Sequence, residues 1–263
     1  MREFKIDFNK ALKPTLIIYL AIFVVGIVMS FVWGVDLDIN FSGGTKISYA
    51  YTGEIADKDI KEVADKAMTL VKNTQDIFPI SPEKYKRVLL VDVKGTEGGF
   101  GALIGAQGPK PSQVVKEMLE KEGFEVSIWE SPMDKVMQLP VEERRAAIGS
   151  VYAAKRPITE LTDNYDLIIN LAIVNPNTDQ RIQWPASKGT PDIPFYINEV
   201  PTIFISVQCP FHLADVPQVK TYINAYDNKD VTFDALVEKM LGRSEFKGVS
   251  PVDAFCGLID TQY

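Results

Sequence analysis

Histidine is almost missing from this chain of 263 residues, which carries only His212. That excludes a multi-histidine metal site, and any His-based triad rests on one residue. Cysteine is nearly as scarce. Cys209 and Cys256 cannot build the disulfide framework of a small secreted scaffold, and sequence alone leaves a single bridge between them open. A basic excess is lacking too. Lys and Arg number 28 against 35 Asp and Glu, a net charge of −7. An acidic chain repels phosphate backbones, so nucleic acid is not an expected partner. There is no internal repeat and no low-complexity linker. After Val35 no apolar run approaches the ~18 residues a membrane span needs. The longest later run, Asp166–Val174 (DLIINLAIV), has strand length.

What is present begins with Leu16–Val35, twenty residues without charge. A helix rising ~1.5 Å per residue over that length crosses a ~30 Å hydrocarbon core. Arg2, Lys5, Lys10 and Lys13 precede it, whereas Asp36 and Asp38 follow it. Positive flanks stay inside, so residues 1–15 read as a cytoplasmic tail, 16–35 as a transmembrane helix in the lipid bilayer, and the rest as extracytoplasmic. A cleaved signal peptide has an apolar core of ~7–15 residues and a small-residue cleavage site. This run is longer and ends in Phe31, Val32 and Trp33. Trp33 suits an interfacial anchor.

Lys46–Tyr51 alternates polar with β-branched or aromatic residues after the turn pair Gly43-Gly44, a strand signal within a 36–56 segment. The stretch GVDLDINFSGGT, directly behind a first membrane helix, resembles the start of the SecD and SecF export-translocase subunits. Ile39-Asn40-Phe41-Ser42-Gly43-Gly44-Thr45 stands where their glycine-rich hallmark stands. The resemblance covers about residues 1–60 and then stops. It implies further membrane helices that carry proton-coupled export, and the sequence has no runs for them.

From residue 57 onward, strand and helix patterns alternate. Asp57–Asn73 reads as a helix with Ile60, Val63, Ala64, Ala67, Met68 and Val71 on one face, capped by Asp57 or Asp59. Phe78-Pro79 marks a turn. Strands are expected at Arg87–Val93, Phe124–Trp129, Asp166–Val174, Thr202–Gln208 and Val219–Ala225. Helices are expected at Ser112–Glu122, Glu142–Ala154 and Asp230–Leu241, the last stopped by Gly242. Such alternation predicts an α/β fold, a parallel sheet in a three-layer α/β/α sandwich.

Three patterns could carry chemistry. The loop Gly95–Gly108 follows a strand, and Gly99, Gly101 and Gly105 with Glu130 imitate a dinucleotide fingerprint. However, Gly108-Pro109-Lys110-Pro111 separates the glycines from the next helix, whose amides would have to meet the pyrophosphate. Cys209-Pro210-Phe211-His212 puts a thiol near an imidazole, but zinc wants about four ligands and no second Cys/His pair exists. It reads as a strand-end turn with a structural histidine. Carboxylates such as Glu142, Glu143, Asp163, Asp166 and Asp253 are plentiful, yet no glycosidase-type pair stands out. No catalytic, cofactor-binding or metal-binding residue is therefore assigned, and no cofactor is expected.

The stretches Ala64–Val91, Glu199–Tyr226 and Leu236–Asp253 resemble, in order, parts of the C-terminal α/β sandwich domain of family-3 glycoside hydrolases. The similarity is to the β-N-acetylhexosaminidase-like branch. Phe246-x-Gly248-x-x-Pro251-Val252 matches its closing F-x-G-x-x-P-V signature. The resemblance covers residues 57–263. In that family the nucleophilic aspartate sits on an N-terminal barrel of ~250 residues, for which residues 1–56 leave no room. The resemblance thus implies a membrane-anchored, non-catalytic domain, not an enzyme by itself. Its partner would be a barrel-domain protein or a carbohydrate. Alternatives are an export-subunit fragment and a fusion of two gene fragments without joint function, since the two resemblances meet inside one expected helix at Asp57–Met68.

Overall fold

The computed structural model describes residues 57–95, 111–154, 156–173, 182–183 and 193–262, together with Tyr19, Phe23 and Val24. The chain divides into two units, Met1–Tyr49 and Ala50–Tyr263, and the fold below is that of the second. Tyr19, Phe23 and Val24 are helical and exposed. The rest of the 16–35 run and the 36–56 segment lie outside the described residues. Among the described residues no helix is long and apolar enough to cross a membrane.

The β-rich runs become neighbouring strands. These are β1 (Thr69–Asn73), β2 (Arg87–Gly95), β3 (Glu125–Ile128), β4 (Leu167–Ala172), β5 (Ile182–Gln183), β6 (Thr202–Ser206) and β7 (Thr221–Asn224). Their order is β1-β7-β6-β4-β2-β3, with β5 paired on β2. The pairs β2–β3, β2–β4, β4–β6 and β6–β7 are parallel. Every residue of β4, β6 and β7 is buried, as expected of strands covered on both faces. The helices are α1 (Asp57–Ala67), α2 (Pro111–Lys121), α3 (Pro132–Met137), α4 (Val141–Ala153), α5 (Thr159–Thr162) and α6 (Asp230–Met240).

The sheet is mixed rather than wholly parallel. The expected helix over Asp57–Asn73 stops at Ala67, and Thr69–Asn73 forms β1, antiparallel to β7. Val71 falls on the expected helical face, but Thr and Val also pack well on a pleated surface, and pairing with β7 decides between the two. The helical face therefore shifts: Ala64 and Met68 are buried, whereas Val63 is 66% exposed.

Side chains alternate between the two faces of the strands. On the first face Val88, Leu90, Ile169, Ile203, Ile205 and Ile223 meet Val115 and Leu119 of α2 and Phe233, Leu236 and Met240 of α6. On the second, Leu89, Val91, Ile168, Phe204 and Tyr222 meet Leu161, Tyr196, Ile197, Leu213 and Val216. Helices α1, α2 and α6 cover the first face. Short α5, a loop at 193–200 and a 3-10 turn at His212–Ala214 cover the second. Helix α4, the charge- and alanine-rich helix expected over Glu142–Ala154, buries no residue and packs on α3.

Helix α6 ends at Gly242, where φ is +75° and a Cβ would stand 2.9 Å from Pro79. The tail then runs past β1. Lys239, 1% exposed, donates from Nζ to the Glu245 carbonyl at 2.6 Å and to Ser244 Oγ at 3.2 Å. Phe246 lies 5.3 Å from the Phe78 ring. At Gly248 a Cβ would approach the carbonyl oxygens of Ala67 and Met68 to 2.3 and 2.4 Å. The glycine of the closing signature is required by this backbone-on-backbone approach at the end of α1.

Candidate functional site at the carboxyl edge of the sheet

Strand order decides where a ligand can sit. From β2 the chain moves outward to β3, then returns across β2 to β4 and continues through β6 to β7. The outward connection holds α2 on the first face, and the returning ones lie on the second, as a single hand of crossover demands. The direction reverses between β2 and β4. In open α/β sheets the crevice beyond the carboxyl ends of the strands at such a switch point is the usual binding position.

Polar residues inside otherwise apolar strands mark this edge. On the first face Asp92 Oδ2 accepts a hydrogen bond from the buried Ser112 hydroxyl at 2.7 Å, which fixes the start of α2. On the second, the Tyr196 hydroxyl donates to Asn170 Oδ1 at 2.6 Å, both residues being fully buried. Ser206 Oγ lies 2.7 Å from His212 Nδ1 and donates to the Cys209 carbonyl. With that hydroxyl proton spent on Cys209, Nδ1–H is the donor to Ser206. Asn224 stands opposite Ser206 in register and donates from Nδ2 to the Pro210 carbonyl at 3.3 Å. The Phe204 and Tyr222 rings stack beneath, with centroids 5.7 Å apart. Strand β5 folds back over the carboxyl end of β2, and its Ile182 N–H donates to Asp215 Oδ2 at 3.2 Å.

Burial sets the charge state of this cluster. It holds His212 down to about 4, so the imidazole is neutral at pH 7. Burial also pushes the Cys209 thiol and the Tyr222 phenol above their usual ranges. His212, Cys209 and Tyr222 are therefore uncharged near neutral pH, and most of the hydrogen bonds are made within the fold, although the Tyr222 hydroxyl and Asn224 Oδ1 are buried without a hydrogen-bond partner. The cluster can orient the strand ends and the turns beyond them, but no member is poised to give or take a proton near neutral pH.

The other sequence candidates are not brought together. The glycine loop lies outside the described residues except Gly95, which closes β2, while α2 begins only at Pro111. Glu130 is exposed and pairs with Lys135 Nζ at 2.7 Å, which holds its carboxyl below the usual range. Asp166 sits at the opposite, amino end of β4. Its carboxylate accepts from the Arg87 backbone N–H at 2.8 Å and from Arg87 Nη2 at 2.7 Å, and this bonding holds it below the carboxylate range. The Asp163 carbonyl accepts from Arg87 Nη1 at 2.5 Å. Asp253 caps the Phe255 and Gly257 amides at 3.0 and 2.8 Å. Glu142 and Glu143 are exposed in the first turn of α4. Each has a local structural task or faces solvent. No group of three or more His, Cys, Asp or Glu able to hold a metal occurs among the described residues. Asp92, Asn170, Tyr196 and Ser206 were missed in the sequence, where the available signal was a polar residue interrupting VLLVDV, DLIINLAIV and TIFISV.

Fold and edge together define an α/β sandwich domain with a mixed sheet. The chain is homologous to the C-terminal region of family-3 glycoside hydrolases of the beta-N-acetylglucosaminidase/beta-glucosidase type. A "Beta-N-acetylglucosaminidase/beta-glucosidase" of Cellulomonas fimi is 35% identical over 216 residues, which are 80% of this chain and 35% of the relative. The solved structure of the beta-glucoside phosphorylase BglX is 36% identical, with a TM-score of 0.58, and the match covers 78% of this chain and 33% of that one. The BglX structure bound to 2FGlc is also 36% identical, with a TM-score of 0.55 over 76% of this chain and 32% of that one. The chain thus spans about a third of the length of these relatives. No protein-family model matches it.

Proposed function

We propose that residues 57–263 act as a non-catalytic accessory domain. The domain packs on a barrel-type domain supplied by another chain, or it weakly holds a carbohydrate of the kind its relatives' names give, a beta-glucoside or an N-acetylglucosaminide. The observation that carries this reading is the carboxyl edge. At the position where an α/β sheet offers its ligand site, Asn170, Tyr196, Ser206 and His212 are buried, uncharged and bonded in pairs within the fold. Glycoside hydrolysis needs two carboxyl groups ~5–10 Å apart across a cleft. Here Asp92 is engaged by Ser112 and Asp215 by the Ile182 amide.

We further propose that Leu16–Val35 tethers this domain to a bilayer with the N-terminus inside. The uncharged length of the run and the basic residues before it support that reading. Titration of the full chain in detergent with chitin and peptidoglycan fragments, beside a pull-down from its native membrane, tests the function. Saturable binding or capture of a barrel-domain glycosidase supports it. The absence of both overturns it.

A further inference from the structure

The neutral corner where β6 and β7 end does not satisfy all of its own polar atoms. Tyr222 and Asn224 are buried, yet the phenol hydroxyl and Asn224 Oδ1 have no hydrogen-bond partner among the protein groups. Turning the Asn224 amide over does not cure this. Its Nδ2 already donates to the Pro210 carbonyl at 3.3 Å, and the exchange would set two oxygens against each other. Register brings both orphaned atoms into one cell. Tyr222 and Asn224 are alternate residues of β7, so they share a face and lie ~6.7 Å apart along it. Phe204 and Ser206 stand opposite them on β6, one strand spacing of ~4.8 Å away. The stacked Phe204 and Tyr222 rings wall the cell on one side. The turn at residues 209–213 roofs it. The Cys209 carbonyl takes the Ser206 hydroxyl, the Pro210 carbonyl takes the Asn224 amide, and Leu213 packs in the same buried cluster as Tyr222.

We propose that this cell is an internal water site, with Tyr222, Asn224 and Ser206 as its three partners. The cell offers one donor, the Tyr222 O–H. It offers two acceptors, Asn224 Oδ1 and a lone pair of Ser206 Oγ. The other Ser206 lone pair takes the His212 Nδ1–H, and the Ser206 proton goes to Cys209. A water accepts from Tyr222 and donates to Asn224 and Ser206, which makes three hydrogen bonds, the usual number for a buried water. This set of groups rejects an ion. A cation would find no carboxylate among the groups of the cell, and an anion would face two oxygen lone pairs and a single donor. The water ties β7 to the end of β6 and so to the turn that carries His212.

Two measurements on the full chain in detergent test the site. The first is a crystal structure at a resolution that shows ordered water. The expected result is one water peak within ~2.6–3.2 Å of the Tyr222 hydroxyl, Asn224 Oδ1 and Ser206 Oγ. The second is urea unfolding of Y222F. Removing a hydroxyl that is bonded to water leaves that water and its acceptors short of a partner, so the folding equilibrium constant is expected to fall about fivefold. Removing a hydroxyl that is bonded to nothing leaves the constant unchanged or raises it. A corner without such a peak, a Tyr222 hydroxyl bonded directly to Ser206, or a Y222F folding constant equal to or above that of the unsubstituted chain overturns the proposal. Should Y222F not fold, the crystal structure alone decides.

Discussion

His212 is the only histidine of the chain, and this makes its burial measurable without interference from another imidazole. In the folded domain it is 3% exposed and titrates at about 4, against 6.5 for a free imidazole. Unfolding returns it to water, where it binds a proton below pH 6.5. The unfolded chain therefore takes up a proton that the folded one refuses. The stabilisation is fully present above pH 6.5 and is lost as pH falls from there toward 4. Between pH 7 and pH 5 the loss amounts to about 2 kcal/mol, since each pH unit inside the window is worth ~1.4 kcal/mol per proton. Carboxylates held low, such as Asp166, exert their effect below this window. Urea unfolding of the full chain in detergent at pH 7, 6 and 5, followed by tryptophan fluorescence, gives the slope. H212Q is the control: whatever it costs at pH 7, it removes the proton uptake. The account expects the variant's stability to fall by about 2 kcal/mol less than that of the unsubstituted chain over the same span. Parallel slopes for the two proteins would refute a buried, neutral His212.

Other substitutions probe the joints of the fold. Gly248→Ala places a methyl group against the Ala67 and Met68 carbonyls, and neither side is a flexible chain end. It is expected to cost about 1–3 kcal/mol, read as a fall in Tm of about 3–9 °C by calorimetry, and an unchanged Tm contradicts the contact. Asp166→Asn removes the charge that joins the Arg87 amide and guanidinium to the start of β4. A loss of about 1–2 kcal/mol at pH 7 is expected. The depressed carboxyl contributes stability above its unfolded pKa that vanishes as pH falls through the folded value, so the deficit of the variant should shrink in strong acid.

The parallel centre of the sheet was legible because continuous runs such as Leu167–Ala172 and Thr202–Ser206 admit few other readings. The edge was not. Thr69–Asn73 continues the helical period of α1, and only its pairing with β7, far along the chain, makes it a strand. Helix α1 shows a related limit: Val63 falls on its expected apolar face, yet it is 66% exposed. Periodicity reports an apolar face without saying what covers it. At the candidate site, Cys209 and His212 drew notice as unusual residue types. The groups that bond them drew none: Ser206 and Asn224 are ordinary residues whose role depends on the register between β6 and β7.

The proposal that this domain supports chemistry rather than performing it is tested most directly by turnover. Purified full chain is mixed with aryl N-acetylglucosaminide and aryl glucoside, with and without phosphate, and phenol release is followed. The account predicts a rate equal to that of buffer. Release that scales with protein concentration and is abolished in D92N or H212Q would place a working active site at the carboxyl edge and contradict the account.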